Sequence, residues 1–290
     1  MASALETISS SSAVVTVDLD GGSIMHFGAT AAARDNVLAS FEPDVPAHPD
    51  TGALHPTHVS WLTRYRGGWQ LLTPSGGAPS VVGGVHHPFH GEVSVIPWTL
   101  ESRTPSALTM RTVARDSFGV TRTLALEGSR LRVTTTVENG SSRVVPAMFV
   151  EHIALELGED ARVVAPEGSQ WESPFDRGTI MDWPGGLATP IPAGEARVVS
   201  LVGRGEGWVE LRRPQSAVRI EWDPRELPYL WYWQERLTDG FPFYRSADVV
   251  GLEPSSVRFG DGLDSVIDRG EAWMLEPVAS RTATVEVMLL

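Results

Sequence analysis

The chain has 290 residues, no cysteine, and 36 acidic against 23 basic side chains, a formal charge of −13 at pH 7. A disulfide scaffold, a thiolate-held zinc or iron–sulfur centre and a thiol nucleophile are thereby excluded, and nucleic acid or an anionic membrane surface would repel so acidic a protein. With 42% hydrophobic residues the chain can bury a core and is not of disordered composition.

Residues 1–14 carry Ser9–Ser12 where an export signal would need an apolar core, and they read as a loose leader. Residues 15–290 read as a single domain, because no linker, charge block or fixed-period repeat divides them. Val14–Leu19 alternates as a first strand, whereas Ala29–Ser40 has helical composition without a clean apolar stripe. Leu108–Ala114, Val120–Leu126 and Leu131–Val137 alternate with period two, and Glu127-Gly128 joins the last two as a hairpin. Ala196–Val202, Trp208–Leu211, Ala217–Trp222 and Thr282–Leu289 repeat the pattern. Strands without crossover helices predict an all-β fold, a large antiparallel β-sandwich with few short helices. No stretch approaches the ~20 apolar residues of a membrane span. The lack of cysteine is compatible with a cytoplasmic location.

Two segments stand out for chemistry. Gly67 through Gly91 holds no charged residue but seven glycines and the histidines His86, His87 and His90, anchored by Trp69, Phe89 and Trp98 around it. A long irregular segment inside a compact domain is commonly functional. Pro88 and Gly91 interrupt any helix that would let the histidines share a metal, and no carboxylate cluster completes a site, so no metal is expected. Later, Leu227-Pro-Tyr-Leu-Trp-Tyr-Trp-Gln-Glu235 would put Trp231 and Trp233 on one face of a strand, where aromatic rings can either fill a core or stack on a sugar.

Taken in order, Arg66-Gly-Gly-Trp-Gln-Leu-Leu-Thr-Pro-Ser-Gly-Gly77, His87-Pro-Phe-His-Gly91, Pro97-Trp98, Phe149-Val-Glu-His-Ile153 and Val249-Val-Gly-Leu-Glu-Pro-Ser255 resemble the aldose 1-epimerase (galactose mutarotase-like) superfamily over roughly residues 15–290. The resemblance implies an enzyme that interconverts α and β anomers of a neutral free sugar by acid–base ring opening, with no metal or organic cofactor. It assigns Glu253 as base, His152 as acid on the ring oxygen, and His90 as a hydrogen-bond donor nearby. Arg66, Gln70, Trp231 and Trp233 are the candidate sugar contacts, and the partner is a small carbohydrate. Ile153-Ala154-Leu155 departs from the proline and aromatic that many relatives carry after the second histidine, and Glu92 stands near the position where sugar-phosphate relatives carry an arginine. A carbohydrate-binding protein without turnover, or another sugar isomerase or lyase, would use the same scaffold.

Overall fold

The computed structural model describes residues 5–202 and 205–290. Strands run in the order β1 (Leu5–Ser9), β2 (Val14–Asp18), β3 (Ser23–Gly28), β4 (Trp69–Leu72), β5 (Ser80–Val82), β6 (Val85–His87), β7 (Thr99–Arg103) and β8 (Ala107–Ala114). There follow β9 (Phe118–Glu127), β10 (Arg130–Asn139), β11 (Val145–Ala147), β12 (Val150–Glu156), β13 (Arg162–Val164), β14 (Gln170–Ser173) and β15 (Asp176–Asp182). The last are β16 (Ala196–Val202), β17 (Trp208–Arg213), β18 (Ser216–Trp222), β19 (Tyr229–Arg236), β20 (Asp248–Ser255), β21 (Trp273–Leu275) and β22 (Ser280–Leu289). Among the described residues two α-helices interrupt them, α1 (Pro56–Arg64) and α2 (Leu263–Asp268).

Hydrogen bonding sorts most strands into two antiparallel sheets. The ten-stranded sheet has the order β1-β2-β3-β4-β12-β20-β19-β16-β14-β15, and the eight-stranded sheet β13-β17-β18-β22-β10-β9-β8-β7. The predicted hairpin is β9–β10, with Glu127 opposite Arg130. Its inward Leu124, Leu126, Leu131 and Val133 meet Val15, Ile24, Leu71 and Ile153 of the other sheet in one core. Alternation produces this arrangement, because every second side chain of a strand points to the same face.

The same alternation gives the ten-stranded sheet a second, outer face. On β12, Glu151, Ile153 and Leu155 point toward the sandwich interior, while Val150, His152 and Ala154 point away from it. An outer apolar cluster of Phe41, Trp61, Tyr65, Leu72, Met148, Val150, Ala154, Trp231 and Phe243 covers this second face. On the inner face, the fully buried Arg122 and Glu151 pair at 2.6 Å. Glu151 also accepts from Trp69 Nε1 at 2.6 Å and Thr135 Oγ1 at 3.0 Å, so its charge is both paired and hydrogen-bonded.

Two expectations change. Residues 5–9, read as part of a loose leader, form β1, which pairs with β2 and buries Ile8 against the core. The mixed polar sequence hid this strand because it lies at the sheet edge, where one apolar anchor suffices. Ala29–Ser40 forms only a short 3-10 turn at Ala33–Asp35, and the longer helix is α1. Pro56 at its first position and His55 Nδ1, which accepts from the Thr57 amide at 3.3 Å, start that helix. Among the described residues no helix is long and apolar enough to cross a membrane.

Candidate active site

Register alone assembles the site. Val150 lies opposite Ser255 and Ala154 opposite Gly251, which sets His152 opposite Glu253 on neighbouring strands β12 and β20. On the other side of β12, His152 pairs with Gln70 of β4, and on the other side of β20, Glu253 pairs with Trp231 of β19. Gln70, His152, Glu253 and Trp231 thus form one row across four strands, all on the outer face. His152 Nε2 stands 3.6 Å from Glu253 Oε1. The three polar members of the row are shut in, at 8% exposure for Gln70, 5% for His152 and 3% for Glu253.

Gly251 makes room for this pair. A Cβ there would collide with Glu253 Oε1 and press on the Trp233 ring, so the carboxylate can fold back along its own strand only beside a glycine. Gly91 plays a similar part for the loop above. It has φ +71°, and a Cβ would lie 2.6 Å from the carbonyl oxygens of Thr73 and Ser75. The preceding His90 also takes a left-handed conformation, φ 58°, unfavourable for a residue with a Cβ and held here by its surroundings.

That loop swings His90 over the row. Its ring centroid lies 5.8 Å from that of His152 and 4.5 Å from Trp61. His90 Nδ1 contacts the Gly76 carbonyl at 3.0 Å. A carbonyl only accepts, so Nδ1 carries the proton and, in the neutral ring, Nε2 is an acceptor. Burial first, and His152 next, push the His90 imidazole well below its ordinary value. In that tautomer the one N–H of His90 is committed to Gly76, and Nε2 is left to accept.

Burial also sets the charge of the pair. It lowers His152 to about 4 and raises Glu253 well above the usual carboxylate range. Burial thus favours neutral imidazole beside neutral carboxyl, so that the pair carries one titratable proton.

Aromatic rings wall the row. The Tyr65 ring stands edge-on to His152 at 5.3 Å and stacks on Trp61 at 4.7 Å. Trp233, half-buried, lies 6.1 Å from His152 and 5.7 Å from Phe243. Trp231 faces the same way, but its indole N–H donates to the Val257 carbonyl at 2.8 Å, which makes it a strut for the 255–260 turn. Three buried polar atoms here find no partner in the protein: Tyr65 Oη, Gln70 Oε1 and His152 Nδ1. Buried polar groups are usually bonded, and these three lie on or beside the one row.

Arg66 does not join them. Its guanidinium donates to the carbonyls of Thr63 and Tyr65, both at 2.9 Å, and so caps the C-terminal end of α1. His86 and His87 fall on opposite faces of β6 and border an open groove of about 320 Å³ with His55, Thr57, Ser80 and Arg115. Neither His152 nor Glu253 borders that groove, so it is separate from the row. Glu92 is neutralised by Arg115 at 3.0 Å. Trp61 and Tyr65 border the row and were missed in sequence reading; the i, i+4 aromatic pair following Pro56 was the available signal.

In sequence, residues 27–289 match the family described as Domain of unknown function (DUF4432). No curated protein matches the chain. Among solved structures, a galactose mutarotase related enzyme from Lactobacillus acidophilus superposes with TM-score 0.75 at 15% identity, covering 99% of this chain and 97% of that one. A galactose mutarotase-like protein from Lactobacillus casei ATCC 334 gives TM-score 0.70 at 18% identity, over 99% and 100% of the two chains. The Slr1438 protein of Synechocystis sp. PCC 6803 gives 0.73 at 16%, over 100% and 96%. The fold is the galactose mutarotase-like β-sandwich.

Proposed function

We propose that this chain, which belongs to the DUF4432 family, is a sugar mutarotase that interconverts the anomers of a neutral free aldose. The observation that carries the reading is the 3.6 Å approach of His152 to Glu253 beneath His90, amid buried polar atoms without partners. A carbohydrate-binding module needs aromatic walls and hydroxyl partners but no acid and base in register, so the pair favours turnover.

In the proposed reaction one member of the pair takes the proton of the anomeric hydroxyl. The electrons left on that oxygen form the aldehyde carbonyl as the C1–O5 bond breaks, and O5 takes a proton from the other member. Rotation about C1–C2 turns the other face of the aldehyde toward O5, and the two groups reclose the ring with their roles exchanged. The proton count of the pair is unchanged over a cycle, so no cofactor enters the balance. In the family-like assignment Glu253 is the base and His152 the acid. The charge-separated form this requires has the same single proton as the neutral form, and hydroxyls donating to Glu253 stabilise it once sugar is bound. His90 Nε2 accepts from a hydroxyl, Gln70 Oε1 from another, and Trp233 stacks on the C–H face of the ring.

The polar groups that converge here are imidazole, carboxyl, phenol and amide. Arg66 is committed to α1, so the phosphate of a sugar phosphate lacks its usual cationic clamp. A neutral sugar is the better fit. Glu253→Gln and His152→Asn each remove one proton-transfer partner and should slow anomer relaxation, followed by polarimetry, about 10²–10⁴-fold. Variants as fast as the wild type would remove both residues from the mechanism.

A further inference from the structure

Tyr65 has a feature that core packing does not account for. It follows the last turn of α1 and is only 2% exposed. Its ring is well served, with edge-on neighbours in Phe41 at 5.5 Å and His152 at 5.3 Å and a stacked neighbour in Trp61 at 4.7 Å. Its hydroxyl is not: Tyr65 Oη is buried and finds no hydrogen-bond partner. A phenylalanine would fill the same space without that cost, since an unpaired buried hydroxyl is a liability rather than a packing asset.

We propose that Tyr65 is a substrate-contacting residue of this site, its phenol O–H donating to an oxygen of the sugar held over His152 and Glu253. Three further observations support it. The backbone around Tyr65 is fixed at both ends: its N–H bonds the Trp61 carbonyl at 3.1 Å, and its carbonyl accepts from Arg66 at 2.9 Å. Two other unpartnered polar atoms, Gln70 Oε1 and His152 Nδ1, belong to the same row, so a single polyhydroxylated ligand accounts for all three. Burial and the neighbouring Glu253 keep the phenol protonated well above its ordinary range, so it is a donor and not a base. The set then supplies what a sugar needs, a donor at Tyr65 and acceptors at Gln70 and His90. Arg66 acquires a purpose too, as the residue that holds Tyr65 in place.

The inference rests on the sugar reading of the site, and the test separates the two. Tyr65→Phe removes one oxygen and leaves the ring contacts. The ligand-free variant should melt no lower than the wild type, because it loses an unpaired hydroxyl. Its kcat/KM for D-glucose or D-galactose anomerisation, and its affinity read from tryptophan fluorescence, should each fall by about tenfold, the loss of one hydrogen bond. A lower melting temperature with unchanged kinetics and affinity would make the hydroxyl structural and overturn the proposal, as would unchanged values of all three. If the wild type binds these sugars without anomerising them and Tyr65→Phe weakens that binding, Tyr65 stands and the mutarotase reading falls. If the wild type binds neither sugar nor any neutral aldose of a wider panel, both fall.

Discussion

Glu253 has a histidine for its partner, and burial acts on the two in opposite directions, raising the carboxyl and lowering the imidazole to about 4. The pair holds one proton between those two titrations. On the acid side His152 takes up a second proton near pH 4, and the site loses its base. On the alkaline side Glu253 gives up its proton above the usual carboxylate range, and the site loses its acid. The kcat/KM profile, which reports the free enzyme, should therefore show an acid limb near pH 4 and an alkaline limb set by Glu253. An acid limb at the ordinary imidazole value of 6.5 would mean that His152 titrates as though solvated. Ordered short motifs singled out His90, His152 and Glu253 in sequence, and the structure brings the three together. Tyr65 was not singled out, since a lone tyrosine after a nine-residue helix has no motif, and the role proposed for it rests on a missing hydrogen bond. Arg66 was found for the wrong role, because sequence cannot tell a guanidinium facing a ligand from one folded back on its own helix.

Strand register turns these residues into a site, and register was partly readable. The two-residue alternation of β9, β10, β16, β18 and β22 located those strands closely. β4, β12 and β20 are buried on both faces and lack alternation, so their pairing could not be read, although they bear Gln70, His152 and Glu253. Gly251 tests the register argument. Gly251→Ala places a methyl group where Glu253 Oε1 now lies, so the carboxylate must leave its position opposite His152. The expected outcome is a folded protein, destabilised by about 1–3 kcal/mol in urea unfolding, whose anomerisation rate falls at least tenfold. Equal rates would show that the position of the carboxylate does not matter. The inner face of β12 tests a different point. Arg122→Met strands the Glu151 charge in the core and should cost about 3–5 kcal/mol, measured by denaturant titration. A loss below about 1 kcal/mol would mean that Trp69 and Thr135 satisfy Glu151 without the arginine.

For the molecule as a whole, the two sheets do separate jobs. Their shared core stabilises the sandwich, and the outer face of the larger sheet carries the candidate site beneath α1 and the 88–91 loop. His152 and Glu253 are only 5% and 3% exposed, so the proposed reaction requires that cover to move aside for a sugar to reach them. Strand periodicity announced the sandwich and composition the absence of thiol chemistry, but neither spoke of the cover, which is built from a helix too short to impose a period and a loop shaped by glycine. The central claim is that one buried His–carboxyl pair opens and recloses a sugar ring. Its most direct test is polarimetry of freshly dissolved α-D-glucose, α-D-galactose and a wider panel of neutral aldoses with the wild-type protein. The account predicts relaxation to the equilibrium rotation faster than in buffer for at least one of them, in proportion to protein concentration. Relaxation at the buffer rate for every sugar in the panel would contradict it.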